Sequence, residues 1–202
     1  MAISILSHAD IVRIARDVSV AHNPHGAYPV DIESIIDVGY GIDIMPRDGL
    51  MDRFQIDAYI TRDLTEIVVD KRIYEQRPPN RYRFSLAQEF AHLVLHTNVY
   101  QSMLFNTTAE WKQAMASLAA DDYRWLEWQA NAFNGVLLVP PGPLRIECGR
   151  IRQQMIDGGV DPDRLDEQGV DRVMRLLGQT FGVSTKVVNH RVRKDGLWIF
   201  PP

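Results

Sequence analysis

Five consecutive residues, Gln88-Glu89-Phe90-Ala91-His92, place an amide, a carboxylate and an imidazole at helical spacing. On a helix, residues four apart share a face, so Gln88 and His92 point the same way and Glu89 lies one step around. Two imidazoles at these positions, the pattern H-E-x-x-H, hold a zinc ion while the glutamate takes a proton from zinc-bound water. Here the base and the second imidazole are present, and glutamine replaces the first imidazole. An amide oxygen is a neutral, harder donor than imidazole, suited better to calcium, magnesium or manganese than to zinc. His96 extends the same stripe by one more turn and makes a second i, i+4 pair with His92.

The glutamate and histidine alone carry little weight, because a Glu-x-x-His arises by chance roughly a quarter of a time in a chain of this composition. Their setting is more informative. Phe84, Leu86, Ala87, Phe90, Ala91, Leu93, Val94 and Leu95 make the segment apolar on nearly every side, as in a buried helix. Polar side chains inside such a helix cost on the order of several kcal/mol unless each finds a partner. Either they hold a metal or they satisfy one another within the core.

The elements around this helix are legible from periodicity. Ser7 is a plausible N-cap for an amphipathic helix carrying Ile11, Val12, Ile14, Ala15 and Val18, which His22-Asn23-Pro24 stops. A short helix after Pro29 carries Ile32, Ile35 and Ile36. The period then changes to that of strands at Ile42–Met45, Gln55–Ile60 and Glu66–Asp70, with Thr61 to Thr65 closing a hairpin. Pro78-Pro79-Asn80 introduces the motif helix, roughly Arg81 to His96. Thr107 with Glu110 makes a capping-box start for a helix to about Leu118. Asp121 or Asp122 caps the next, which carries Trp125, Leu126, Ala130, Phe133 and Val136-Leu137-Leu138 up to Pro140-Pro141. Helices over Leu144–Ile156, Val170–Phe181 and Ser184–Arg193 complete the chain.

Global composition narrows the class. The 202 residues are 46% hydrophobic and 24% charged, with a net charge of −4, values of a globular protein rather than a general nucleic-acid coat. Cys148 is the only cysteine, so neither a disulfide nor a cysteine zinc site forms within one chain, and a reducing cytoplasm fits best. No signal peptide or membrane-spanning stretch is evident.

The stretch Arg83-Phe84-Ser85-Leu86-Ala87-Gln88-Glu89-Phe90-Ala91-His92-Leu93-Val94-Leu95-His96 resembles the ImmA/IrrE family of regulatory metallopeptidases, whose signature runs approximately R-F-T-L-A-H-E-L-G-H-x-L-L-H. Glu127-Trp128-Gln129-Ala130-Asn131-Ala132-Phe133 with Leu137-Leu138-Val139-Pro140 is similar to the family's E-x-x-A-N-x-F-A-x-x-L-L-M-P, and Pro29-Val30-Asp31-Ile32-Glu33 to its P-V-D-I-E helix start. The resemblance implies an α+β, minimal zincin-like domain, a small antiparallel sheet packed on helices, over residues 1–141, with a helical extension over 142–202. It further implies zinc as cofactor, Glu89 as general base, His92 and Glu127 as ligands, and Gln88 on the first ligand position. Three outcomes are open: zinc held weakly by Gln88, His92 and Glu127; a shifted site of His92, His96 and Glu127; or no metal. In the family pattern the histidine matching His96 is not usually a ligand, and packing at the helix end is its alternative role.

The last segment, Phe181-Gly182-Val183-Ser184 onward, reads as the turn and second helix of a helix-turn-helix. Lys186, Asn189, His190, Arg191 and Arg193 would project toward a major groove, or the same residues would form a solvated face of a structural helix pair. His8, His22 and His25 suit surface or capping roles. Trp111, Trp125, Trp128 and Trp198 suit the core or a lid, and Trp125 and Trp128 flank Glu127. The function this sequence leads to is that of a regulatory metallopeptidase-like protein acting on a helix-turn-helix repressor, its activity reduced or lost through Gln88. The alternatives are a non-catalytic protein that binds a repressor or antitoxin-like partner, and a DNA-binding regulator using the C-terminal helices.

Overall fold

The computed structural model describes residues 4–77 and 79–197, so Pro78 and Trp198 lie outside the described residues. Helix α1 spans His8–His22, and Ser7 caps it as its sequence predicts, the hydroxyl accepting the Asp10 amide at 3.2 Å. Ile11, Ala15 and Val18 form its buried face. Helix α2, Ile32–Ser34, starts at Asp31, whose carboxylate accepts the Ser34 amide, and continues as a π turn over Ile35–Gly39 that buries Ile35 and Ile36.

The strands are β1, Asp43–Arg47, β2, Ala58–Ile60, and β3, Glu66–Asp70, in the spatial order β1-β3-β2. The β2–β3 hairpin is antiparallel and closes through Thr61 to Thr65 as expected. The sheet is not antiparallel throughout, because β1 pairs with β3 in parallel, Asp43 opposite Glu66 through Arg47 opposite Asp70. The chain reverses once through α3, Leu50–Phe54, and again at the hairpin, so β3 runs in the direction of β1 and slots between the two earlier strands. Neither α3 nor α4, Lys71–Gln76, is visible in the periodicity. Each is under two turns long, too short to repeat an apolar face.

Helix α5, Pro79–Ser102, contains the motif. Its backbone leaves helical geometry at His96 (φ −126°, ψ 19°), where the sequence places the helix end, and then resumes. Helix α6, Thr108–Ala116, has the full Thr107–Glu110 capping box. Helix α7, Ala120–Leu138, begins one residue before the acidic pair, so Asp121 and Asp122 lie in its first turn and favour it through the helix dipole instead of capping it. Helix α8 spans Pro141–Asp157: Pro141 occupies its first position, where a missing N–H costs nothing, and the helix begins before Leu144. Helices α9, Glu167–Phe181, and α10, Thr185–Lys194, join through Gly182 at φ +61°. Ser184 caps α10 by accepting the Val187 amide.

These elements form an α+β, minimal zincin-like arrangement, a small sheet packed on helices with further helices at the C-terminal end. Helix α7 lies between α1 and α5, and α5 carries the sheet on its other side. Leu126, Ala130, Phe133 and Leu137 of α7 meet Leu86, Ala87, Phe90 and Ala91 of α5 in one apolar cluster that extends to Val188 and Val192 of α10. Two buried amides pin neighbours to α7. Gln129 accepts the Leu6 amide at 3.0 Å, and Asn134 donates to the Phe84 carbonyl at 3.2 Å. Arg83 similarly donates to the Gly182 carbonyl at 3.3 Å and ties the α9–α10 turn to α5. Among the described residues no helix is long and apolar enough to cross a membrane.

Candidate functional site

Helices α5 and α7 cross where their polar residues face one another, and the four side chains named from sequence meet there. The Gln88 amide nitrogen donates to Glu127 Oε2 at 2.8 Å. The other Glu127 oxygen lies 3.6 Å from His92 Nε2. His92 presents its opposite ring nitrogen, Nδ1, to His96 Nδ1 at 3.1 Å. Glu89 turns toward the sheet, where its Oε2 accepts the Ile60 amide of the edge strand β2 at 3.1 Å. His92 and His96 are buried at 2% and 3% exposure and Glu89 at 8%, whereas the Glu127 side chain keeps 28% and forms the rim.

Burial sets the protonation of this cluster. Glu89 is pushed well above the usual carboxylate range, first by loss of water and then by the negative charge of Glu127, with the Ile60 amide opposing. Glu127 is raised by burial and eased back by the Gln88 hydrogen bond. His92 is held well below its ordinary value by burial and then by His96, and His96 falls to about 4 by burial. Burial thus disfavours charge on Glu89, His92 and His96, and less so on Glu127, which lies at the rim and accepts from Gln88. A general base must be deprotonated to act, and this environment opposes ionisation of Glu89.

The donors present do not fit zinc in this arrangement. Tetrahedral zinc needs three protein donors converging at about 2.0–2.3 Å from one point. His92 Nε2 and Glu127 can share such a point. The third direction is filled by the Gln88 amide, which presents hydrogens to the carboxylate. Turning the amide over would offer zinc only a neutral amide oxygen, a harder and weaker donor than imidazole. His96 cannot replace it, because it approaches His92 Nδ1 while Glu127 faces Nε2, and one imidazole cannot direct both nitrogens at one ion. The shifted site of His92, His96 and Glu127 is thus not assembled. Among the described residues no three His, Cys, Asp or Glu side chains form a metal-holding group.

Two phenols complete the site and were missed in the sequence. Tyr100 is 1% exposed, its ring centroid 5.4 Å from that of His92, and burial, Glu89 and Glu127 all raise its hydroxyl. Tyr123 is raised by burial and by the same two carboxylates. The signal for both was periodicity: Tyr100 continues the 88, 92, 96 stripe and Tyr123 precedes Glu127 by one turn. Trp125 and Trp128, an edge-to-face pair with centroids 5.4 Å apart, stand beside Glu127 and are each about 40% exposed, whereas Trp111 packs on Tyr59.

The expected groove-facing side of α10 is only partly free. Arg191 is 2% exposed and donates to the Val139 carbonyl at 3.3 Å and to Asp195 at 2.7 Å, so it faces inward. It locks α10 onto the end of α7. Arg193 is exposed and bonds Asn189 of its own helix. Lys186 and His190 border a cavity between α10, α5 and α7.

The small sheet packed on a buried helix, whose Glu89 joins the edge strand, and on a crossing helix that carries Glu127 is the arrangement of a minimal zincin-like domain. Residues 42–193 match the profile described as the IrrE N-terminal-like domain of a peptidase family, and the chain belongs to that family. A solved structure described as a Mycobacterium tuberculosis transcriptional regulator is similar in fold, with a TM-score of 0.51 and 17% identity, over 92% of this chain and 54% of that one. The chain thus spans about half the length of that neighbour. Comparison with the curated proteins finds no match.

Proposed function

We propose that this chain is a regulatory protein of metallopeptidase descent that engages a helix-turn-helix repressor-type protein in the cytoplasm, with zinc binding weak and peptide hydrolysis reduced or lost through Gln88. The observation that carries this reading is the 2.8 Å bond from the Gln88 amide to Glu127, which sets a hydrogen-bond donor where the family motif has an imidazole lone pair. The hydrogen bond from Ile60 to Glu89 supports it, since the would-be base serves to join α5 to the sheet edge. The cleft itself remains suited to a protein surface. Tyr123, Trp125 and Trp128 are about 40% exposed around Glu127, and exposed aromatic side chains of this kind often supply most of an interface's affinity.

The test is co-expression with candidate repressors followed by affinity capture through this chain. The partner is expected intact, its retention falling roughly tenfold on Trp128→Ala, about 1.4 kcal/mol, and unchanged on Glu89→Gln. Partner cleavage by the unmodified protein that Glu89→Gln abolishes would overturn the reading.

A further inference from the structure

Beside the Gln88–Glu127 pair, helices α5, α7 and α10 border a half-open pocket of about 730 Å³. Its floor is apolar: Phe84 from α5, Trp128 and Ala132 from α7, and Val187 from α10. Its rim is basic. Lys186, His190 and Lys194 recur every four residues along α10 and all border it, with His8 of α1 opposite. The one carboxylate among the described lining residues is Asp57, and Arg81 already holds it through two hydrogen bonds of 2.7 Å. Arg191 is likewise neutralised by Asp195. Lys186 and Lys194 have no such partner among the described residues, and Lys194 stands over the Trp128 ring, 5.7 Å from its centroid.

This collects unpaired positive charge around an apolar hollow in a chain whose net charge is −4. Burial and then Arg191 lower Lys194, with Asp195 opposing; burial, Lys194 and Arg191 lower His8, with Asp195 again opposing, so the lysines carry the charge of this rim. An apolar floor and a cationic rim are complementary to a molecule with an apolar body and an anionic head. The volume falls in the range of small-molecule pockets, about 300–1,000 Å³. A nucleic-acid backbone would use the lysines and leave Phe84, Ala132 and Val187 without a role.

We propose that this cavity binds a small amphipathic organic anion, a carboxylate, sulfonate or phosphate ester on an aliphatic or aromatic body. Trp128 also borders the aromatic rim of Glu127, but Lys186, His190, Lys194 and Val187 do not, and the proposal does not rest on the function proposed for the Gln88–Glu127 cluster.

The test is fluorescence titration of the full chain with anilinonaphthalene sulfonate as anionic probe and phenylnaphthylamine as its neutral counterpart, followed by displacement with dodecanoate. One saturable site per chain is expected, with the anion held at least about tenfold more tightly than the neutral probe and displaced by dodecanoate. Lys186→Glu with Lys194→Glu should weaken the anion about tenfold or more and leave the neutral probe unchanged. Both lysines are exposed, so folding is retained, and melting curves check it. Ala132→Phe, which fills the floor, should weaken both probes. Equal affinity for the two probes, or anion binding unchanged in both variants, would overturn the proposal. Displacement by a short DNA duplex that binds the Ala132→Phe variant undiminished would overturn it too, and would assign the basic stripe to nucleic acid.

Discussion

Replacing Gln88 by histidine should shift thermal stability in opposite directions without and with zinc. Without metal, the variant loses the 2.8 Å hydrogen bond to Glu127. Hydrogen bonds to charged groups contribute about 1.5–3 kcal/mol, and the lower end applies because Glu127 keeps 28% exposure and can rehydrate. A loss of ~1.5 kcal/mol lowers the melting temperature of a chain this size by roughly 3–6 °C. With zinc the sign reverses. Histidine at position 88 would present a lone pair beside His92 Nε2 and Glu127, already 3.6 Å apart. Zinc at about 100-fold over its dissociation constant then stabilises the folded state by ~2.7 kcal/mol, a rise of roughly 5–11 °C. The unmodified protein should move by less than about 1 °C on the same addition. Differential scanning fluorimetry with chelator and with zinc reads both, metal analysis of the dialysed proteins confirms stoichiometry, and Glu127→Ala in the variant should erase the rise. An equal rise in the unmodified protein would show that the amide does serve as a ligand and refute the fit argument. No rise in the variant would show that His92 and Glu127 are not placed as ligands.

Three further outcomes follow from the same structure. Glu89 is raised in the folded state, so as pH climbs from about 4.5 the unfolded chain releases this proton while the folded chain keeps it, and stability declines through that window. Glu89→Gln, which still accepts the Ile60 amide, removes that decline. Its stability relative to the unmodified protein, measured by urea unfolding, should grow between pH 4.5 and pH 8, and a constant difference would contradict the buried acid. Arg191→Met should cost about 3 kcal/mol by leaving Asp195 and the Val139 carbonyl without their donor, with part regained in Arg191→Met/Asp195→Asn; a neutral effect in chemical denaturation would place Arg191 at the surface. Gly182→Ala adds a Cβ at φ +61° and 2.8 Å from the Pro29 side chain, so it should cost roughly 2–3 kcal/mol, seen as a lower denaturation midpoint, and an unchanged midpoint would refute that close packing.

Periodicity in the sequence marks the helices and strands long enough to repeat it, and three of their caps, though not the start of α7, where Asp121 and Asp122 fall inside the first turn. Ser7, Thr107 and Ser184 each accept the amide their spacing predicts, because capping is a local hydrogen bond within one turn. The sequence by itself also determined that Gln88, Glu89, His92 and Glu127 would share a site, since the three on α5 are fixed by helical geometry and the fourth by the resemblance of its motif. Elements shorter than two turns, α3 and α4, left no periodic trace. The direction of β1 was likewise not legible, because pairing between segments about twenty residues apart depends on how the intervening chain reverses.

Tertiary structure alone decided what the site residues do to one another. The side of the His92 ring that faces Glu127, the capture of Glu89 by an edge-strand amide and the burial that disfavours charge on both groups all depend on the crossing of α5, α7 and the sheet. The same crossing turned Arg191 from an expected groove-facing cation into an interior clamp and set Lys186, His190 and Lys194 around a cavity. Residue type and spacing are properties of one helix. Protonation, ligand geometry and exposure are properties of several helices at once, and they are fixed only when those helices pack.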